Sequence, residues 1–328
     1  MTAVFHGGDL SKASDLFGEP AAGWVDLSTG INPRSWPVPS GFLEGLRALP
    51  NGARLNSLLD AAAKAYGVTA PDRVVAAPGT QALIQWLPRL RPAGRTAIVS
   101  PTYGEYAAAW GLAGHDVVEV GDLPDRADFD VVVLTRPNNP DGRAPDRSDI
   151  AALARDLASR GGVLIVDEAF ADLDPIASVA AEAPEGLVAL RSFGKFYGLP
   201  GLRLGFALCD PETAATIAGA LGPWPVSSLA ADIGAVALAD RAWQDDTRLW
   251  LADAVQRLDN ILMGAGFDIL GGTNLYRLCS RKDAMALYEQ LGRTGVYVRR
   301  FPDNPEWLRF GLPGSAAHWT RLEKAMLS

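Results

Sequence analysis

The segment Arg191-Ser192-Phe193-Gly194-Lys195-Phe196-Tyr197-Gly198-Leu199-Pro200-Gly201-Leu202-Arg203-Leu204-Gly205-Phe206 decides the reading of this chain. Apolar runs flank it, Leu187–Leu190 before and Leu204–Leu208 after, so its centre reads as a loop between two buried strands. One lysine, Lys195, stands among small and aromatic residues, with the Ser192 hydroxyl three positions before it and Arg203 eight positions after it. The chain has 25 Arg but only five Lys, so a lysine in an apolar, Gly-rich loop is a poor candidate for a solubilising charge. An amine held in apolar surroundings loses its proton near neutral pH and becomes able to form a Schiff base with an aldehyde. Ser192 and Arg203 stand where they could hold a phosphate. The competing reading is a solvated surface lysine.

Working outward, short β-branched runs alternate with Ala/Leu-rich stretches. Strand candidates are Arg73–Ala76, Thr96–Ser100, Asp116–Val120, Val131–Thr135, Val163–Asp167, Leu187–Arg191 and Leu204–Leu208. Helix candidates between them include Leu55–Tyr66, Gln81–Leu87, Glu105–Leu112 and Ile150–Ser159. The alternation predicts an α/β fold, a mostly parallel seven-stranded sheet between helices. Ligands on such sheets bind at the carboxyl ends of the strands, and the polar candidates Thr102-Tyr103, Asn138-Asn139, Asp167-Glu168 and Ser192 to Lys195 all fall there. After about Pro211 the pattern changes to helices over Ala230–Ala239 and Asp246–Gly264, then short strands at Asn274–Cys279, Val296–Arg299 and Leu308–Gly311. This predicts a smaller α+β domain. The expected division is an N-terminal arm over 1–40, a large domain over 41–235 and a small domain over 236–328. The arm, rich in Gly and Pro, is expected to wrap another domain or subunit rather than to form a core element.

Composition bounds the function. A formal charge of −8 and 21% charged residues argue against nucleic acid or an anionic membrane as partner. Two cysteines, Cys209 and Cys279, make no disulfide framework and fit a reducing cytoplasm. No apolar run reaches membrane-spanning length, no signal peptide is read at the N-terminus, and no metal-ligand pattern stands out.

Further residues suit one cofactor site. Gly79-Thr80-Gln81 ends a strand and opens a helix, where free N–H groups and close backbone approach favour an anion. Asp167 ends the apolar run Val163–Val166 and could pair with a protonated pyridine nitrogen. Asn139 could donate to a ring oxygen, although Asn-Pro and Asp-Gly are also common turn formers. Tyr103 could stack on a ring face. Amine, anion site and carboxylate together point to pyridoxal 5′-phosphate (PLP).

The ordered set Gly79-Thr80, Tyr103, Asn139-Pro140, Asp167-Glu168-Ala169, Ser192-x-x-Lys195 and Arg203 resembles the fold-type I, aminotransferase-like PLP enzymes. The resemblance spans nearly the whole chain. It implies that Lys195 anchors the cofactor and shuttles protons, and that Asp167 pairs with the pyridine nitrogen. It also implies that Asn139 meets the ring hydroxyl, that Tyr103 stacks, and that Gly79, Thr80, Gln81, Ser192 and Arg203 bind the phosphate. Within the family the chain is similar to the branch of histidinol-phosphate aminotransferases and threonine-phosphate decarboxylases. Arg309 matches that branch's substrate-carboxylate arginine and Arg299 its substrate-phosphate arginine. His6-Gly7-Gly8, Leu27–Pro33 (with Gly30 and Asn32) and Gly222-Pro223-Trp224-Pro225-Val226 resemble signatures of the decarboxylases of cobalamin biosynthesis.

What the resemblance implies is decarboxylation of L-threonine O-3-phosphate by a cytoplasmic homodimer with a substrate-facing arm. Transamination of histidinol phosphate or another phosphorylated amine is the alternative, and a non-catalytic PLP-binding protein a third reading. A dinucleotide-binding protein is disfavoured, since no Gly-x-Gly-x-x-Gly follows the first strand. Two departures stand out: many relatives carry Tyr where this chain has Phe170, and no tyrosine stands in Asn51–Asn56 to serve a neighbouring subunit's cofactor.

Overall fold

The computed structural model describes residues 7–124, 128–182 and 184–327; His6 of the arm lies outside them. The chain forms two compact units, one of residues 1–34, 140–142 and 245–328, the other of residues 35–139 and 143–244.

The first strand, β1 (Val25–Leu27), belongs to the first unit. The second unit is built on a seven-stranded sheet: β2 (Val74–Ala77), β3 (Arg95–Val99), β4 (Asp116–Val120), β5 (Val131–Thr135), β6 (Val163–Asp167), β7 (Leu187–Ser192) and β8 (Gly205–Leu208). Their order is β2-β8-β7-β6-β5-β3-β4, and only β8 runs against the rest. The expected mostly parallel sheet is therefore present. The central strands β5, β6 and β7 are buried at every position, whereas the edge strand β4 carries two acidic residues among its valines and is partly exposed. Helix limits exceed the expected ones where a cap extends them: Asn51 accepts the Arg54 N–H at 3.0 Å and starts a helix over Gly52–Tyr66. The helix Pro211–Leu221 was not anticipated, although Asp210-Pro211-Glu212 is a helix start, with Asp210 capping Thr213 N–H at 2.9 Å.

In the first unit β9 (Asp268–Thr273), β10 (Tyr276–Ser280), β11 (Val296–Arg300) and β12 (Trp307–Gly311) join β1 in the order β1-β11-β12-β10-β9. This corrects the expectation that the first 40 residues form no core element. β1 pairs in parallel with β11, and Val25 and Leu27 are buried. The helix Leu10–Phe17 packs Phe17 edge-on against Tyr288 and so close to Gly292 that a Cβ there would lie 2.5 Å from the Phe17 ring. A three-residue strand is too short to show a period, and it forms because β11 offers an open edge. The turn Pro140–Gly142 docks on β9: Gly272 N–H donates to Asp141 O at 2.8 Å, and a Cβ at Gly142 (φ +77°) would sit 2.0 Å from Gly272 O. Only glycine fits there.

Cys209 and Cys279 are buried free thiols, and burial pushes both up to about 12. Neither is expected to react with a disulfide reagent at pH 8 in the native protein, and both should react after denaturation, as read by thiolate release absorbance.

Candidate active site

Sheet register gathers the polar residues of the second unit. Thr135 pairs with Asp167, Asp167 with Leu190, and Gly205 with both Ser192 and Ala77. Because β8 is antiparallel, it begins where its neighbours end. Arg203, just before β8, therefore arrives beside Gly79, just after β2. A Cβ on Gly79 (φ +81°) would lie 2.6 Å from Arg203 Nη2, and one on Gly205 2.6 Å from Thr80 N. Two glycines thus leave a cradle bounded by the Arg203 guanidinium and the Thr80 backbone N–H, with Ser192 opposite Gly205 in the sheet register. Arg203 itself takes a left-handed conformation (φ 53°) and is exposed. A cation, a hydroxyl and an open N–H around a cradle of that kind fit a phosphate.

Lys195 lies on a loop made rigid by aromatic packing. Phe193 stacks on Tyr197 at 4.3 Å, Tyr197 stacks on Trp243 at 5.7 Å, and Phe196 meets Trp243 edge-on. Ser35 Oγ donates to Gly198 O and Trp36 N–H to Tyr197 O, tying the loop's far end. Lys195 Nζ stands 5.9 Å from the centre of the Phe170 ring.

Asp167 is buried, and burial raises its carboxyl above the usual range. Opposing that, Tyr106 OH donates to Oδ2 at 2.8 Å, Ala169 N–H donates to Oδ1 at 2.9 Å, and the nearby Lys195 charge pulls the carboxyl back down. A carboxylate so supported can face a protonated ring nitrogen. Tyr106 was not singled out in the sequence; it lies in the first turn of the helix Glu105–Leu112, and its ring meets that of Tyr103, in the loop just before that helix, edge to face at 6.4 Å. Tyr103 OH in turn donates to Gln81 Oε1 at 3.3 Å, and Gln81 Nε2 donates to Glu105 Oε2 at 2.9 Å. Both ends of the Gln81 side chain thus serve to hold Tyr103.

The two asparagines separate. Asn138 is buried and structural: Nδ2 donates to Pro101 O, Oδ1 accepts from Thr102 Oγ1, and its N–H bonds Arg143 O. Asn139 is half-buried beside it. Glu168 points away from Asp167 into the core, where it accepts from Arg191 Nη1 at 3.2 Å, Ser178 Oγ at 2.6 Å and Val179 N–H at 2.7 Å. Arg191 Nη2 also bonds Asp172.

In the first unit Arg299 and Arg309 are direct cross-strand partners on β11 and β12. Arg309 is buried, its Nη2 donates to Ser28 O at 2.8 Å, and its guanidinium lies 5.0 Å from the Tyr276 ring centre. Gly8 N–H donates to Ser28 Oγ, Gly30 is buried, and Asn32 Oδ1 accepts the Arg34 N–H. Ser28 thus lies within the signature Leu27–Pro33 read in the sequence, but its contacts with Gly8 and Arg309 were not foreseen there.

Residues 44–322 match the family of class I and II aminotransferases. The chain belongs to that family. A threonine-phosphate decarboxylase of Pseudomonas aeruginosa is 41% identical over 326 residues, 98% of this chain and 97% of the relative. A histidinol-phosphate aminotransferase of Mycobacterium tuberculosis is 31% identical over 85% of this chain and 80% of its own. Among solved class I and II folds, histidinol-phosphate aminotransferase from Sinorhizobium meliloti in complex with pyridoxal-5′-phosphate superposes with a TM-score of 0.82, covering 99% of this chain and 94% of that one at 20% identity. The α/β sheet of the second unit is thus the fold-type I sheet of this family, and the expectation of that fold stands. Among the described residues no His/Cys/Asp/Glu cluster suited to a metal occurs, and no helix is long and apolar enough to cross a membrane.

Replacing Glu168 by Ala leaves the Arg191 charge buried with less compensation. The expected cost is about 3–5 kcal/mol of stability, read as a lowered urea midpoint.

Proposed function

We propose that this chain binds PLP and decarboxylates L-threonine O-3-phosphate, giving (R)-1-amino-2-propanol O-2-phosphate and CO₂. The observation that carries the substrate's chemistry is the Arg299–Arg309 pair. Residues directly opposite in an antiparallel pair share a face, and like charges there destabilise the sheet. Such a pair is consistent with a ligand bearing two anionic groups, here a carboxylate for Arg309 and a phosphate for Arg299. The reaction itself is supported by the 41% identity to a threonine-phosphate decarboxylase along nearly the whole of both chains.

In this reading Lys195 Nζ holds the cofactor aldehyde and later delivers a proton to Cα. Asp167, which accepts from Tyr106 OH and Ala169 N–H, would pair with the ring nitrogen and keep it protonated. Tyr103, braced by Gln81, stacks on the ring, Asn139 donates to its hydroxyl, and Ser192, Arg203 and the Gly79-Thr80 turn hold its phosphate. When bound, the cofactor supplies an electron sink for the pair left at Cα as the bond to the carboxylate breaks. Which bond at Cα stands perpendicular to the ring decides between loss of CO₂ and loss of a proton, and anchoring of remote substrate groups sets that orientation. Transamination of a phosphorylated amine uses the same cofactor residues and is the alternative. The finer readings of a homodimer and of a cytoplasmic location go with this function. Support for the dimer comes from Leu43, Leu46 and Leu49, an exposed apolar row at three-residue spacing, and from exposed Trp224.

Purified, PLP-loaded protein given L-threonine O-3-phosphate and no keto acid should release CO₂ and the phosphorylated amine in equal amounts, and Lys195→Ala should not. Turnover that requires 2-oxoglutarate and yields no CO₂ would overturn the decarboxylase reading. Tyr106→Phe keeps the ring packing but removes one donor from Asp167. It should weaken PLP binding by about tenfold, as measured by absorbance titration of the apoprotein. An unchanged affinity would sink that role.

A further inference from the structure

Ser28 is fully buried, and its polar atoms are divided among three partners. Its carbonyl oxygen accepts Arg309 Nη2 at 2.8 Å. Its hydroxyl donates to Asp26 Oδ1 at 2.6 Å and accepts the Gly8 N–H at 2.7 Å, while its own N–H donates to the same Asp26 oxygen at 2.8 Å. Asp26 therefore fixes the hydroxyl proton and leaves a lone pair aimed at Gly8. Gly7 passes over the same residue: a Cβ there would lie 2.4 Å from the Ser28 carbonyl oxygen, the atom that receives Arg309. Beneath, a Cβ on Gly311 would lie 2.4 Å from Thr29 O, so the Ser28–Thr29 backbone is pressed between the arm and β12. A guanidinium is a rigid planar fork, so holding one nitrogen fixes the direction of the others.

We infer that Ser28 is a positioning residue that couples docking of residues 7 and 8 to the aim of Arg309, so that a substrate carboxylate is gripped well only with the N-terminal arm seated. This rests on the proposed role of Arg309 as the carboxylate ligand. It differs from a general stabilising role because the effect is confined to ligands carrying a carboxylate.

The test compares wild type, Ser28→Ala, a variant lacking residues 1–8, and the two changes combined, all PLP-loaded and checked by Tm. Ser28→Ala keeps the carbonyl and removes only the hydroxyl. KM and kcat are measured with L-threonine O-3-phosphate, and binding of that ligand and of O-phosphoethanolamine, which has no carboxylate, is followed by cofactor absorbance. Each single change should raise KM for threonine phosphate about fivefold to tenfold with a smaller change in kcat. O-phosphoethanolamine binding should stay within about twofold of wild type, and the combined variant should be no worse than either single one. Multiplying losses in the combined variant, equal weakening of both ligands, or an unchanged KM would each overturn the coupling. A wild-type protein that binds neither ligand would sink the functional reading instead. The coupling would then be decided by whether removing residues 1–8 quickens amide exchange in β12, as it requires, or leaves it unchanged.

Discussion

A buried charge pair stands directly behind the cofactor residues, and the geometry of the second unit depends on it. Extended backbone sends consecutive side chains to opposite faces. At the end of β6, Asp167 faces one way and Glu168 the other; at the end of β7, Ser192 faces one way and Arg191 the other. Glu168 and Arg191 meet in the core and pull the two strand ends together, while Asp167 and Ser192 are left on the opposite face. Taking ions out of water costs several kcal/mol each, so the arrangement survives only because it is nearly saturated: Glu168 receives three donors, and Arg191 adds Asp172 and lies over the Tyr66 ring at 4.4 Å. Burial alone would pull the Arg191 guanidinium down; Asp172 and Glu168 outweigh it and hold it above its ordinary value.

The same principle of one supported charge beside one exposed function recurs at Asp167. Burial raises its carboxyl above the usual range, and two donors and a lysine offset part of that rise. A freely solvated carboxylate would be anionic without help but would interact weakly with a ring cation through water. Burial with donors strengthens the interaction while keeping the charge. Tyr103, Tyr106, Gln81 and Glu105 form one connected brace, so the group that stacks and the group that holds the carboxylate move together or not at all.

Much of this was legible in the residues. The strands β5, β6 and β7 are uninterrupted apolar runs, and each ends on a polar residue, which marked both the sheet and its working edge. Lys195, Asp167 and Arg203 stood out because each is a charge where the pattern calls for none. What escaped were the residues that act on other protein groups. Glu168 reads as the second half of an acidic pair until the strand period assigns it to the core. Tyr106 reads as one more helix aromatic. β1 is three residues long and owes its form to β11, some 270 positions away by the count of residues, a dependence that no local pattern carries. Ser28 lies in the Leu27–Pro33 signature, but its contacts with Gly8 and Arg309 depend on residues 20 and 281 positions away and are not carried by the local pattern.

The two units divide the chemistry in a way that explains why cofactor residues alone do not name the reaction. Everything assigned to PLP lies in residues 35–139 and 143–244; everything assigned to the substrate's anions lies in 1–34 and 245–328. On the proposed reading the first set would serve decarboxylation and transamination alike, because both need the same sink at Cα. The proposed function gives the second set the choice of which bond at Cα is broken. An arginine whose aim depends on a carbonyl under an N-terminal arm is adjustable in a way that the braced Asp167 and Tyr103 are not. Divergence of reaction within this fold is therefore expected to run through residues such as Ser28, Asp26, Arg299 and Arg309, while the sheet edge that holds the cofactor stays constant.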